Sequence, residues 1–192
     1  MNLFPKALLG SAAALVLSQC ASMPGTANTK ESYSGILPEI QAPASISYAG
    51  ETYRAGYSAA SSAGATVEYF RAGEGPKNWQ RLMALRAMPQ KTTPKDQAIL
   101  MGRSAKAGAA AYSAPNGDVG FDSLIPKSNG GLEFSLFRFA PLPGTEGVKS
   151  LQYAEQIPRG NLDVPKLKAL VAKHRAAMMK GPFPAISLKA GQ

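Results

Sequence analysis

Ile46 and Tyr48 alternate with serines, which predicts a strand from Ser45 that breaks at Gly50. Tyr53, Ala55, Tyr57 and Ala59 then fall on one face of a second strand, with Arg54, Gly56 and Ser58 on the other. Ser61-Ser62-Ala63-Gly64 is turn material, and the β-forming run Thr66 to Arg71 should fold back on it as a hairpin. Gly73-Glu74-Gly75-Pro76 ends that run. Trp79, Leu82 and Met83 recur at helical spacing before Pro89, which predicts a helix over Lys77 to Met88. A second helix follows, with Thr93 as N-cap, Pro94 at its first position and a body from Gln97 to Lys106.

Beyond it, Ala109 to Ser113 and Val119 to Ile125 flank Pro115-Asn116-Gly117-Asp118, where Asn-Gly is a hairpin signal. Asn129-Gly130-Gly131 marks another turn. Leu132 to Phe139 holds three phenylalanines and two leucines and reads as a core strand. Pro141 to Gly147 forms a loop, and Val148 to Ile157 alternates with Leu151, Tyr153 and Ile157 on one side. The last element is a helix capped by Asp163, with Leu167, Leu170, Val171, His174 and Met178 on one stripe and Gly181-Pro182 at its end. The order predicts a single α+β domain over residues 45–192: an antiparallel sheet built of hairpins, with about three helices packed on a face.

This element order is similar to that of small α+β folds of the photosystem-lumen, PsbP/Mog1-like kind. A local resemblance lies in Tyr69-Phe70-Arg71-Ala72-Gly73-Glu74-Gly75-Pro76-Lys77-Asn78-Trp79, which is similar to a segment of uncharacterised exported bacterial proteins. Phe134 to Phe139 and Gln152-Tyr153-Ala154 suit the same group, which brings no activity with it. Within the segment, Asn78 is expected to cap the following helix and Trp79 to lay its ring on the sheet.

Residues ahead of the domain carry a different pattern. Lys6 is followed by Ala7-Leu8-Leu9 and Ala12 to Leu17, an apolar run too short to span a bilayer. Leu17-Ser18-Gln19-Cys20-Ala21-Ser22 then resembles a lipobox, although Gln19 stands where a small residue is usual. The resemblance to bacterial lipoproteins implies cleavage before Cys20 and lipidation of its sulfur. The lack of Asp after Cys20 resembles the outer-membrane sorting pattern. A plain secretory peptide, leaving a soluble periplasmic or secreted protein, is the alternative. Cys20 is the only cysteine, so no internal disulfide can form. Residues 21–44 are rich in Ser, Thr, Ala, Asn, Gly and Pro and read as a flexible tether.

The 192 residues are 45% hydrophobic, enough for a buried core, and carry a formal charge of +9. Lys6 is the only charged side chain in the leader, so the remainder stays basic. Such a surface suits anionic lipid or polysaccharide as well as simple solubility, and no nucleic-acid motif is present.

Candidate chemistry is sparse. His174 is the only histidine, and its place on an apolar stripe favours a buried structural imidazole over a catalyst. One His, one Cys and no close carboxylate cluster give no metal site, and no cofactor motif appears. Serine occurs in no Gly-x-Ser-x-Gly, Ser104 lies one residue short of a Ser-x-x-Lys spacing, and Gly73-x-Gly75 lacks the rest of a nucleotide fingerprint. No catalytic residue is assigned. Arg86, in the apolar stripe of the Trp79 helix, could cap carbonyls, bind a carboxylate such as Glu68, or bind an anion, and Arg138 raises the same question. Lys166, Lys173 and Lys180, flanked by Lys168 and Arg175, form a basic face on the last helix that could meet an anionic membrane.

The expectation is a non-enzymatic, lipid-anchored protein of the cell envelope, at the outer membrane facing the periplasm. It would bind or scaffold another envelope component. The alternatives are a periplasmic small-ligand binder and an envelope-polymer hydrolase using His174 or Asp122 as base. A deep apolar pocket between sheet and helices would favour the small-ligand binder.

Overall fold

In the computed structural model, residues 29–104, 110–113, 116–161 and 163–189 are described. The leader with Cys20, the first part of the expected tether, Lys106 and Pro115 lie outside the described residues. The chain runs β1 (Lys30–Ser32), β2 (Ile40–Gln41), β3 (Ser45–Tyr48), β4 (Glu51–Ser61), β5 (Gly64–Phe70), β6 (Arg81–Met88) and α1 (Pro94–Ser104). It continues through β7 (Ala110–Ser113), β8 (Val119–Pro126), β9 (Leu132–Pro141), β10 (Val148–Ile157), α2 (Val164–Lys180) and β11 (Ser187–Leu188).

Nine of these strands form one sheet in the order β1-β4-β5-β6-β10-β9-β8-β7, with β3 beside β4. Every pairing in it is antiparallel. The fold is therefore α+β, with an antiparallel sheet as its body. Its two α-helices lie on opposite faces rather than together. α2 packs Met178 into the main apolar core, while α1 sets Ala98 and Met101 against Phe121, Phe137 and Phe139.

Several elements form as the local signals dictate. The Thr93 hydroxyl accepts from the Asp96 amide at 3.1 Å and opens α1. The Asp163 carboxylate accepts from the Lys166 amide at 2.9 Å and opens α2. Gly117 takes φ 84° in the β7–β8 connection, where Asn116 accepts from the Asp118 amide. The two-residue β3–β4 turn has Ala49 at φ 50° and Gly50 at φ 87°, the positive angles a tight hairpin needs to match strand twist.

Five expectations are corrected. The helix expected over Lys77 to Met88 is strand β6, paired with β5 on one side and β10 on the other. Leu82 through Ala87 are all buried, so both faces of this central strand are covered and no apolar–polar alternation is left to reveal it. The chain thus has two α-helices among the described residues, not about three. Asn78, expected as a helix cap, instead closes the turn before β6, donating to the Gly73 carbonyl and accepting from the Gly75 amide. Trp79 does lie on the sheet, against Phe70, Leu82 and Ala154.

In β4 a bulge between Ala55 and Tyr57 shifts the register. Tyr53 and Ala55 face the main core, but Tyr57 packs with Phe70 and Trp79 on the opposite face. The single stripe read from the sequence is split there. Residues 30–44, placed in the expected tether, belong to the folded body. β1 pairs with β4, Ile40 is buried, and the buried Ser58 hydroxyl bonds both the Leu37 amide and the Gly35 carbonyl.

Candidate ligand pocket

The main core lies between the sheet and α2. Tyr53, Val67, Tyr69, Met83, Leu85, Leu136, Leu151 and Tyr153 alternate inward from five strands onto that face. Near the C-terminal end of α2 the packing opens. A cavity of about 790 Å³ lies between β3, β10 and the segment after α2. Ile46, Tyr48, Leu151, Met178 and Ile186 supply apolar wall. Prolines 143, 182 and 184 stiffen the rim.

The segment that closes the cavity is held at its far end. β11 pairs with β2 through Ser187–Gln41 and Leu188–Ile40, and the Lys189 amide donates to the Glu39 carbonyl at 2.8 Å. At its near end Arg138 holds it. The guanidinium donates Nε to Asp118 at 2.6 Å and Nη1 to the carbonyls of Met178 and Gly181 at 2.9 and 2.6 Å. Arg138 therefore does cap helix carbonyls and bind a carboxylate, at the end of α2.

Among the described residues, Lys149 is the single charged side chain lining the cavity. Its ammonium sits 4.4 Å from the centre of the Phe183 ring, whose negative face attracts it. Partial burial pushes the ammonium below its ordinary range, the nearby Arg138 charge adds to this, and Asp118 opposes it. An anionic group arriving at Lys149 would relieve that burial cost.

His174 lies deeper and does not line the cavity. Its ring stacks on Tyr153 at 4.2 Å between centroids and 11° between planes. The Tyr48 hydroxyl donates to the His174 carbonyl at 2.9 Å and lies 3.2 Å from Nδ1. The Tyr48 hydroxyl thus bridges the backbone and the ring of the same histidine. Burial holds the imidazole below its ordinary pKa, so it is neutral at pH 7. Asp122, the other candidate base, is engaged by Arg175 at 2.7 Å.

The residues singled out for anion binding are not brought together. Lys166, Lys173 and Lys180 are exposed on α2, seven residues apart, and so share one outward face. Arg86 lies on β6 with its side chain on the other side of the sheet, among the cross-strand partners of Thr66 and Ser150. Ser104 ends α1. Among the described residues no group of three His, Cys, Asp or Glu side chains could hold a metal ion. Among them, too, no helix is long and apolar enough to cross a membrane. Neither Lys149 nor the Pro182-Phe183-Pro184 segment was a site candidate in the sequence. A signal for the segment was there, in two prolines flanking an aromatic just after a helix stop, but a lone lysine in an alternating strand carries none.

A protein-family model matches residues 40–181, from β2 to the residue after α2. The chain belongs to this family. The family carries no assigned activity. No curated protein and no solved structure matches the chain.

Proposed function

We propose that this is a non-enzymatic, lipid-anchored cell-envelope protein that binds an amphiphilic envelope molecule in the pocket beside Lys149. The observation that carries the reading is the cavity of about 790 Å³ with apolar walls and one ammonium. That volume falls in the range of ligand pockets, and its lining follows their pattern of apolar surface with few polar groups. The ligand would be an apolar molecule with one anionic group, the group at Lys149 and the apolar part against Ile46, Leu151 and Ile186.

The engagement of His174 by Tyr48 and Tyr153, and of Asp122 by Arg175, supports binding over hydrolysis. The lipobox-like segment ending at Cys20 supports anchoring by acyl chains, and the absence of a following Asp supports the outer membrane facing the periplasm. Lys166, Lys173 and Lys180 would then lie against anionic lipid or polysaccharide beside the anchor. A sheet with one helix against each face fits a PsbP/Mog1-like arrangement.

The test pairs two measurements on the same preparation. Palmitate labelling in the producing bacterium should mark wild type and not Cys20→Ala. Fluorescence titration with parinaric acid, a fluorescent fatty acid, should saturate at one site per chain. Absence of label removes the anchor, and absence of saturable binding removes the pocket.

A further inference from the structure

The face of the sheet opposite the main core carries a second, smaller site. Thr66 on β5, Arg86 on β6 and Ser150 on β10 are direct cross-strand partners, so their side chains form one row across three adjacent strands. All three are buried, with exposures of 4%, 6% and 1%. Among the described residues, Thr66 Oγ1, Arg86 Nη1 and Ser150 Oγ have no hydrogen-bond partner. This row forms the polar floor of a cavity of about 90 Å³. Gln97, Leu100 and Met101 of α1 lie across it, and Ala59 and Met88 add apolar wall.

A guanidinium cannot shed its charge at any pH a protein meets, and burying it without a counter-charge is costly. No carboxylate lies within 4 Å of Arg86 among the described ion pairs. Glu68, opposite Ala84 on the same face, is the acidic side chain nearest in register. Burial raises its pKa and the Arg86 charge opposes this, without a hydrogen bond between the two side chains among the described residues. The fold thus presents a buried cation flanked by two unused hydroxyls. It leaves beside them a space lined by alanine, leucine and methionine.

We propose that Thr66, Arg86 and Ser150 bind the carboxylate of a short-chain organic acid beneath α1. The planar guanidinium matches a carboxylate, and the two hydroxyls donate from either side. The methionine and leucine walls take an alkyl chain of a few carbons, which the cavity volume limits. This site lies across the sheet from the Lys149 pocket and uses none of its residues, so either can fail without the other.

The experiment is isothermal titration of the full-length protein with butyrate, octanoate and inorganic phosphate. Wild type should bind butyrate saturably at one site, with octanoate and phosphate at least tenfold weaker. Arg86→Met, which keeps the length of the side chain and removes the charge, should weaken butyrate at least a hundredfold while leaving parinaric acid binding unchanged. Thr66→Val combined with Ser150→Ala keeps Arg86 and should weaken butyrate about tenfold, which covers the case of an Arg86→Met chain that does not fold. The proposal is overturned if wild type binds no butyrate, if phosphate binds more tightly than butyrate, or if either variant matches wild type.

Discussion

Arg138 and Asp118 are bonded at 2.6 Å with both side chains almost wholly buried, and the same guanidinium holds the last carbonyls of α2. One side chain on a central strand therefore fixes a loop carboxylate, the end of a helix and the start of the segment that closes the pocket. Removing one member of such a buried pair leaves the other charge uncompensated. Arg138→Met should lower stability by about 3–5 kcal/mol in urea denaturation. Adding Asp118→Asn to it should recover part of that loss, because the stranded carboxylate is then gone. A double variant no more stable than Arg138→Met would show that the stranded carboxylate is not the source of the loss.

Ala49 sits at φ 50° in the β3–β4 turn, a conformation that costs a residue with a Cβ about 1–2 kcal/mol and that asparagine tolerates. Ala49→Asn creates an Asn-Gly turn without touching the core, since position 49 is exposed. It should raise stability by about 0.5–1 kcal/mol, read as a higher urea midpoint at unchanged slope.

His174 makes stability depend on pH in a defined window. Burial lowers its pKa in the folded protein, whereas in the unfolded chain it titrates near its ordinary value of 6.5. Above 6.5 both states are neutral and its contribution is intact. As pH falls from 6.5 through the lowered folded value, the unfolded state takes up the proton first and stability is lost. Glu68 and Glu133 act in the other sense at lower pH. Burial raises both, so their folded forms hold protons that the unfolded chain releases, and stability falls as pH rises from 4.5 through their folded values. Replacing His174 by Gln should flatten the slope below pH 6.5 and leave the carboxylate window unchanged in urea titrations across pH.

The Lys149 pocket gives a paired prediction on ligand binding. Lys149→Met should weaken parinaric acid about tenfold, through loss of the ion pair, and leave the neutral probe N-phenyl-1-naphthylamine unaffected. Ala185→Trp, at an exposed position on the wall, should weaken both by obstruction. Equal loss of both probes in Lys149→Met would argue that the lysine shapes the wall rather than meeting the charge.

Much of this architecture was legible in the sequence wherever a local rule governed. The caps of α1 and α2, the Asn-Gly turn and the alternation of β10 follow from short-range chemistry, and each element stands where those signals put it. β6 was not legible because its identity depends on what covers it. Leu82, Met83 and Arg86 recur as a helical stripe would, and Leu, Met, Ala and Arg all favour helix, so only pairing with β5 and β10 makes the run a strand. The bulge before Tyr57 was hidden for a related reason, since Gly56 in a strand signals a bend without saying which face the next side chain takes. β1 and β2 hold three and two residues, too few for any periodicity. The sites show the same divide. Arg86 and Arg138 look alike as single charges in apolar runs, and only the register separates the arginine that caps α2 from the one whose Nη1 has no hydrogen-bond partner among the described residues.

The short strands at the rims have a consequence for self-association. β7, at one side, has four residues, and on the other the outer edge of β4 is divided between β3 and β1, of four and three. Ten-residue strands such as β9 and β10 stay enclosed by neighbours. Two molecules that meet edge to edge therefore find little free backbone on which to zip together, and the sheet resists polymerising into fibres.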